Sequence, residues 1–476
     1  MHSAPASQQP VPSSWRDAAE RFAERIAVFI SRWRYLLIAL CTIGYALDTV
    51  YRAHRKLFWL DEIFTIYISR LSSLKLIWQA LLRGADFNPP LLYVLTRLSQ
   101  SAFGYGHVAT RLPEAVGVWV FCLSLYRFVS LRTTPLGGFI SMLFPLVTMA
   151  YPYAYEARSH GIILGFCGLS LISWQSLAAR THRRIWPALS LGLSLSCALL
   201  THSFAVLLWL PIVAGEIVRS VRLRRLDPAV WSVLIIASLA TVVSLPLLRS
   251  VRSTLSVGVF FPASMQKLIL SYQHLLVAAT GVLVCVLALL CVDRGLRATA
   301  GRVAEGLKAH ELVASLAFLT LPVVNYLLAR FSHAPMMDRY DLSAVAGLAC
   351  LIGAAMSARP LAGLLVLAMR VFQIAADYAN FATGSFVPEG STVRTAFDER
   401  YRLMDSVVDK QLPILLLDPF EFAPSLYYAP GHLLPRLTYV RDTNVYFEDF
   451  NGKVNFEAFA QLQRLLSGAG PSFFAR

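Results

Sequence analysis

No two of the seven cysteines stand in a C-x-x-C or other metal-type spacing, and Cys41, Cys122, Cys167, Cys197, Cys285, Cys291 and Cys350 all fall inside apolar segments. Neither a zinc site nor a disulfide framework is indicated. Glycine-rich phosphate loops are missing as well. There is no G-x-x-x-x-G-K-[ST] and no G-x-G-x-x-G placed after a strand, so nothing in the chain cradles a soluble nucleotide. Charge is scarce, at 15% of 476 residues. Lys and Arg exceed Asp and Glu by 43 to 28, for a net charge of +15, but they lie in short clusters between hydrophobic runs. That pattern forms no extended basic face for nucleic acid and reports membrane topology instead. Residues 1–20 have no apolar h-region, which argues against a cleavable signal peptide; polar and Pro/Ser-rich, they read as a disordered cytoplasmic tail. No internal repeat of the transporter kind is visible.

What the sequence has in quantity is apolar surface. Hydrophobic residues make up 56% and the mean hydropathy is +0.56, far above a soluble chain. Apolar runs near the ~20 residues that cross a bilayer recur over the first four fifths of the chain. Arg21, Arg25, Arg32 and Arg34 precede the first run and place the N-terminus in the cytoplasm under the positive-inside bias. Cytoplasmic positions follow for Arg127 with Arg132, Arg180 to Arg184, Arg219 to Arg225, and Arg294 to Lys308. All of these are satisfied by eleven spans near 35–50, 110–130, 135–152, 160–178, 186–200, 203–218, 229–248, 269–292, 311–330, 341–357 and 360–378. The stretch "PPLLYVLTRLSQSAF" is left out as an interfacial helix, being short and carrying Arg97, Ser99, Gln100 and Ser101. The expected domains are therefore a partly disordered tail over 1–34, an all-α transmembrane domain over 35–380 and a small extracytoplasmic α/β domain over 381–476. In the last of these, "LPILLLDPF" reads as a buried strand stopped by Asp418 and Pro419.

That topology gathers polar residues at the outer ends of spans: Asp61, Glu62, Asp86, Asn88, Arg111, Glu156, Arg158, His160, His202, His333, Asp338, Arg339 and Asp341. A single loop charge such as Asp86 or Asp341 is as readily a solvated residue as a functional one. The convergence of so many ionisable groups at membrane depth points to a site. A carboxylate beside an apolar wall can take a proton from an alcohol, while Arg and His hold a phosphate by charge-assisted hydrogen bonds. A base facing an anion clamp suits transfer of a group off a phosphate, and a lipid phosphate donor needs only an apolar groove and a cation at the bilayer surface.

Six segments in order, "WLDEIFT", "FNPPLLYVL", "ATRLPEAVGVW", "YEARSHGIILGF", "THSFAVLLWLP" and "APMMDRYDLSAVAGLACLIG", resemble the membrane glycosyltransferases of the GT-C class, of the protein mannosyltransferase or glycosyltransferase family 39 type. The resemblance covers roughly 35–380. It implies a polyprenyl-phosphate sugar donor, inversion at the anomeric carbon, and transfer to a lipid, glycan or protein hydroxyl on the outer face of a bacterial inner membrane. It also implies roles. Asp61 matches the acidic residue that activates the acceptor, with Glu62 beside it, and Glu156 joins them among the catalytic carboxylates. Arg158, His202, Arg339 and Tyr340 match the donor-phosphate contacts. Asn88, where relatives often carry His, Arg111 and His160 are left as acceptor- or sugar-binding residues. For Arg111, tethering a helix end to a loop carboxylate is an equal reading. Glu62 is open between raising the Asp61 pKa, holding a hydroxyl and facing solvent. A divalent cation is compatible with the chemistry but not required, since the outer loops carry no compact acidic triad. Two rivals are a secondary transporter, which would favour ionisable groups at mid-bilayer, and a lipid-linked polysaccharide ligase or polymerase, which would favour a more basic outer loop than 249–268.

Overall fold

The structure, a computed structural model, describes residues 15–254, 262–275, 306–332, 335–383, 401–406, 411–416 and 419–439, with residues 277, 280 and 399. In chain order the first helices are α1 (Trp15–Arg32), α2 (Arg34–Arg55), α3 (Leu60–Ser69), α4 (Leu74–Leu82), α5 (Leu91–Phe103) and α6 (His107–Ser130). There follow α7 (Pro135–Leu143), α8 (Ser159–Ala179), α9 (Ile185–Thr201), α10 (Trp209–Leu223), α11 (Pro228–Ser238) and α12 (Thr241–Thr254). The later ones are α13 (Ala309–Leu319), α14 (Leu321–Ser332), α15 (Ala344–Ser357), α16 (Pro360–Thr383) and α17 (Pro419–Tyr428). Helix α1 begins inside the stretch expected to be a disordered tail.

Among the described residues, six segments are long and apolar enough to cross a membrane: Arg34–Arg55, His107–Ser130, Ser159–Ala179, Ser203–Leu223, Pro228–Arg249 and Pro360–Thr383. Helices α13 and α14, bent by 50°, make a seventh if they are one span. Three of the expected spans fall on shorter apolar helices, Pro135–Val147, Ile185–Thr201 and Ala344–Ser357. The expected span 269–292 lies for the most part outside the described residues. The chain is an integral membrane protein built of α-helices, and its outer surface shows why these segments are helical. On α2, Leu36, Leu40, Ile43 and Leu47 are all exposed at helical spacing and form a lipid-facing stripe. Polar side chains turn inward instead, among them Ser124, Ser141, Ser170 and Gln175.

Helices α3, α4 and α5, of 10, 9 and 13 residues, are too short to span and fill the connection between α2 and α6. The polar residues of α5 face protein: Ser99 Oγ donates to the Ala109 carbonyl at 2.6 Å, and Gln100 Nε2 to Thr110 Oγ1 at 3.1 Å. The strand expected in "LPILLLDPF" is present as β1 (Ile414–Leu416), paired in parallel with β2 (Leu437–Tyr439) in the register Ile414↔Leu437, with α17 between them. Leu416, Phe422 and Leu437 from this βαβ unit share an apolar cluster with Phe58, Ile63 and Ile66. The Phe58 N–H donates to Tyr428 Oη at 2.6 Å. Residues 440–476 of the expected outer domain lie outside the described residues.

One close approach brings α6 against α8. A methyl on Gly117 of α6 would stand 2.4 Å from the Gly161 carbonyl oxygen of α8, and one on Gly165 would stand 2.8 Å from the Gly117 backbone. Small residues let the two backbones touch, as is common where membrane helices pack without a hydrophobic driving force. Gly44 on α2, by contrast, has open space. Gly117→Ala should therefore cost ~1–3 kcal/mol of stability through overpacking, while Gly44→Ala stays near neutral. Thermal melts of both variants in detergent check this.

Candidate active site

Asp61 and Glu62 occupy the first turn of α3, where the helix dipole favours carboxylates, and the Trp59 N–H reaches Glu62 Oε2 at 3.3 Å. Neighbouring positions on a helix point ~100° apart, so the two carboxylates cannot share a partner. Glu62 turns inward and Asp61 outward.

Glu62 is 0% exposed and grips Arg111 with both oxygens, each at 2.7 Å, while Oε1 also accepts the Ala157 N–H at 2.7 Å. Arg111 spends its remaining donors on the carbonyls of Ala53 and Lys56, both at 2.7 Å, and of Leu57 at 3.0 Å. Its guanidinium lies 4.6 Å from the centroid of the Phe58 ring. Burial alone would raise the Glu62 pKa, but the charge and hydrogen bonds of Arg111 outweigh it and hold the carboxyl below its ordinary value. Of the two readings of Arg111, the geometry shows the tether: its donors end on Glu62 and the end of α2. Neither Glu62 nor Arg111 lines the groove described below.

Asp61 keeps a partly exposed carboxylate between two arginines, with Arg158 Nη2 at 3.6 Å and Arg339 Nη1 at 3.5 Å. Both separations exceed an ordinary hydrogen bond, so the Asp61 oxygens are near cations without being consumed by them. Arg158 is fixed from behind by Asp86 Oδ2 at 2.8 Å and the Asp61 carbonyl at 3.1 Å. Asp86 is buried, not a solvated loop charge. Burial would raise its pKa, but Arg158 and the Phe87 N–H win and hold it down. Asn88 is buried with it, its Nδ2 3.5 Å from Asp86 Oδ2. Glu156 pairs with Lys56. Burial nonetheless pushes the Glu156 pKa up, which separates it from Glu62 and Asp86.

Beside this cluster runs a groove lined by His160, His202, Phe204, Arg339 and Tyr340 together with the apolar Ile163, Leu164, Leu207 and Leu208. Phe204 and Tyr340 stack at 4.1 Å and 15°, and the His202 ring lies 5.1 Å from Tyr340. His202 Nδ1 accepts the Phe204 N–H at 3.0 Å, so the imidazole hydrogen sits on Nε2. Burial and the charges of Arg158 and Arg339 push the His202 pKa down to about 3, leaving a neutral ring that donates one hydrogen bond. It is a donor at neutral pH, not the cation that a ring of Arg and His suggested.

Two donors are left over. Arg158 Nε and Arg339 Nε are buried and meet no acceptor among the described residues. Two guanidinium N–H groups without acceptors on either side of a carboxylate, one of them on the groove-lining Arg339, fit an oxyanion with an apolar tail. His333 lies outside the described residues. Lys56 was missed in the sequence, yet it carries a signal: with Arg52, His54 and Arg55 it makes a basic run on the side where that bias leaves few cations.

Two solved structures share this architecture. The crystal structure of ArnT from Cupriavidus metallidurans in the apo state matches with a TM-score of 0.53 at 14% identity, covering 90% of each chain. The same protein bound to undecaprenyl phosphate matches with 0.52 at 13% identity, covering 91% of this chain and 89% of that one. The fold is thus similar to that of these ArnT structures. No protein-family model and no curated protein matches the chain.

Breaking the Glu62–Arg111 pair should be costly, because the survivor is a buried charge. Glu62→Gln is expected to lose ~3–5 kcal/mol of stability, and the double variant Glu62→Leu/Arg111→Met less than the sum of its single changes. Melting of the purified variants checks both.

Proposed function

We propose that the chain is an inverting glycosyltransferase that moves a sugar from a polyprenyl-phosphate donor to a hydroxyl of a lipid, glycan or protein acceptor. One observation carries this reading: Arg158 and Arg339, the two arginines that flank Asp61, each keep an unspent Nε–H, and Arg339 lines an apolar groove. The ArnT structure with bound undecaprenyl phosphate supports the choice of a lipid phosphate as the oxyanion. The ordered sequence segments support the protein mannosyltransferase or glycosyltransferase family 39 type. The placement of the basic clusters supports eleven crossings, with the three shorter helices counted as spans, and a site on the outer face of a bacterial inner membrane.

In this mechanism the isoprenoid tail lies along Ile163, Leu164, Leu207 and Leu208, and the phosphate meets Arg339, Arg158 and the His202 Nε2–H. The acceptor hydroxyl attacks the anomeric carbon from the face opposite the phosphate. Its proton passes to Asp61, the C–O bond to phosphate breaks, and the donor leaves as a monophosphate with one more negative charge. The arginines stabilise that charge as it develops. Glu62 is a positioning residue that sets the direction of Asp61. Glu156, paired with Lys56, is the rival base. The βαβ unit of residues 414–439, docked on α3, acts as a cap that tunes acceptor choice.

Washed membranes assayed with a panel of polyprenyl-phosphate sugars test the reaction class; no transfer from any of them would remove it. Asp61→Asn keeps shape but takes no proton, so turnover should fall ~100-fold or more with donor binding retained. Glu156→Gln should lose less, and the reverse order would move the base to Glu156. Losing one charge-assisted contact costs ~1.5–3 kcal/mol, so Arg339→Ala and Arg158→Ala should each weaken donor binding roughly tenfold to a hundredfold. Lysine at either position should restore only part, because an ammonium cannot reproduce the guanidinium fork. Direct binding of undecaprenyl phosphate to each variant gives the answer.

A further inference from the structure

Helix α1 leads into the end of α2 remote from the candidate site, and its sides differ in chemistry. Phe22 and Phe29, with Trp33 just past its last residue, are 63%, 51% and 44% exposed, and the Phe29 and Trp33 rings lie 6.4 Å apart. At ~100° per residue these three positions fall within ~40° of one another and form one row. About 90° to one side of the row are the buried Ala23 and Ile30. Ile26 and Ala27 join Ile30 in the main core cluster there, where α1 packs on α7 and α16. About 80° to the other side stand Arg21, Arg25 and Arg32, all exposed. Glu20 and Glu24, exposed as well, lie on the side opposite the aromatic row. Of the exposed large apolar residues of α1, Val28 alone is off the row, beyond the arginines.

A helix that only covered a bundle in water would have a buried side and a polar remainder. Here an aromatic side faces one way, acidic groups face the opposite way, and the bundle and the arginines occupy the flanks. That order suits a helix lying in the plane of a bilayer surface with the bundle beside it: aromatic rings in the acyl boundary, guanidinium groups level with the headgroups, carboxylates toward water. The neighbouring surface agrees. The chain breaks between α1 and α2 at Trp33, where φ is −101° and ψ is 16°, yet Leu36 and Leu40 follow Trp33 at helical spacing. The aromatic row therefore runs directly into the lipid-facing stripe of α2, so lipid is the occupant that covers both. The arginine flank selects the sign of that lipid, since guanidinium groups pair with headgroup phosphate and gain most where the headgroup keeps a net negative charge.

We propose that α1 is an interfacial anchor: Phe22, Phe29 and Trp33 insert into one leaflet, and Arg21, Arg25 and Arg32 bind anionic phospholipid headgroups of the phosphatidylglycerol class. The anchor fixes the start of α2 and, through Ile30, the helices packed on it. It does not rest on the sugar-transfer reading.

The test uses the full-length protein, in a cysteine-free background, reconstituted in phosphatidylcholine bilayers with one fluorophore at Phe29→Cys or at Glu24→Cys. The quenchers are aqueous iodide and acyl-chain nitroxides carried on phosphatidylglycerol or on phosphatidylcholine. The label at position 29 should be shielded from iodide and quenched by the nitroxides, and the label at position 24 should show the reverse. At position 29 phosphatidylglycerol should quench at an about fivefold or more lower mole fraction than phosphatidylcholine, as one arginine near an anionic headgroup supplies a factor of that size. Arg21→Gln/Arg25→Gln/Arg32→Gln should bring the two lipids level and leave the shielding from iodide intact. Position 29 as open to iodide as position 24, or shielded from iodide and lipid alike because protein covers the row, overturns the anchor. Equal quenching by the two lipids, or a preference undiminished in the triple variant, overturns the headgroup contact. Should the triple variant fail to fold, ~1 M salt must erase the preference in the labelled protein with its arginines intact, and a preference that survives it overturns the contact instead. A protein that behaves as expected but transfers no sugar would refute the proposed function and leave the anchor standing.

Discussion

A carboxylate and a guanidinium withdrawn together from water, Glu62 and Arg111, hold the candidate site of this protein in shape. An exposed pair of this kind contributes little, and a buried one is tolerated only when the remaining donors and acceptors are also met. Here they are met by the Ala157 N–H and by the carbonyls of Ala53, Lys56 and Leu57. One side chain from α6 thereby joins the end of α2, the start of α3 and the approach to α8. The glycine contact between α6 and α8 is what lets the tether reach, since any side chain at Gly117 would part the two helices. Arg158 follows Ala157 directly in the chain, so the same anchor that turns Asp61 outward also delivers the arginine beside it.

Around that anchor, chemically similar groups are given different states. Glu62 and Asp86 are held ionised by arginines, whereas burial raises Glu156 even with Lys56 in contact. His202 is kept neutral by burial and, after it, by the same two arginines that flank Asp61. The cationic character of the site therefore resides in guanidinium groups, which do not titrate near neutral pH, and the histidine contributes direction in place of charge.

Much of this was legible in the sequence, for identifiable reasons. Apolar runs and basic clusters are one-dimensional signals, and the helices at 107–130, 159–179 and 360–383 lie close to where those signals put them. Placing Asp61, Arg158 and Arg339 all at span ends assigned them to one site in the sequence, but did not show the close approach of both arginines to Asp61. Length was less legible: the helices Pro135–Val147 and Ala344–Ser357 stop short of a full span although the hydropathy around them continues. Burial within the outer loops was not legible either. Asp86 looks like a solvated loop residue until α8 supplies Arg158, and Lys56 looks like an ordinary flanking charge until Glu156 comes up against it. Both depend on partners 72 and 100 residues away, and a composition window has no access to such pairs.

The docking of the 414–439 unit on α3 has a bearing on how the protein is made. The Phe58 N–H donates its hydrogen bond to a tyrosine 370 residues further along, and Leu416, Phe422 and Leu437 complete the apolar cluster in which Ile63 and Ile66 are buried. During synthesis the ribosome delivers the α3–α5 connection early and these partners late. The helices behind the loop can be inserted and packed one after another, but the loop itself stays half-covered until translation has passed Tyr439. The surface that orients Asp61 therefore matures late, once residues 414–439 have been made and have docked on α3.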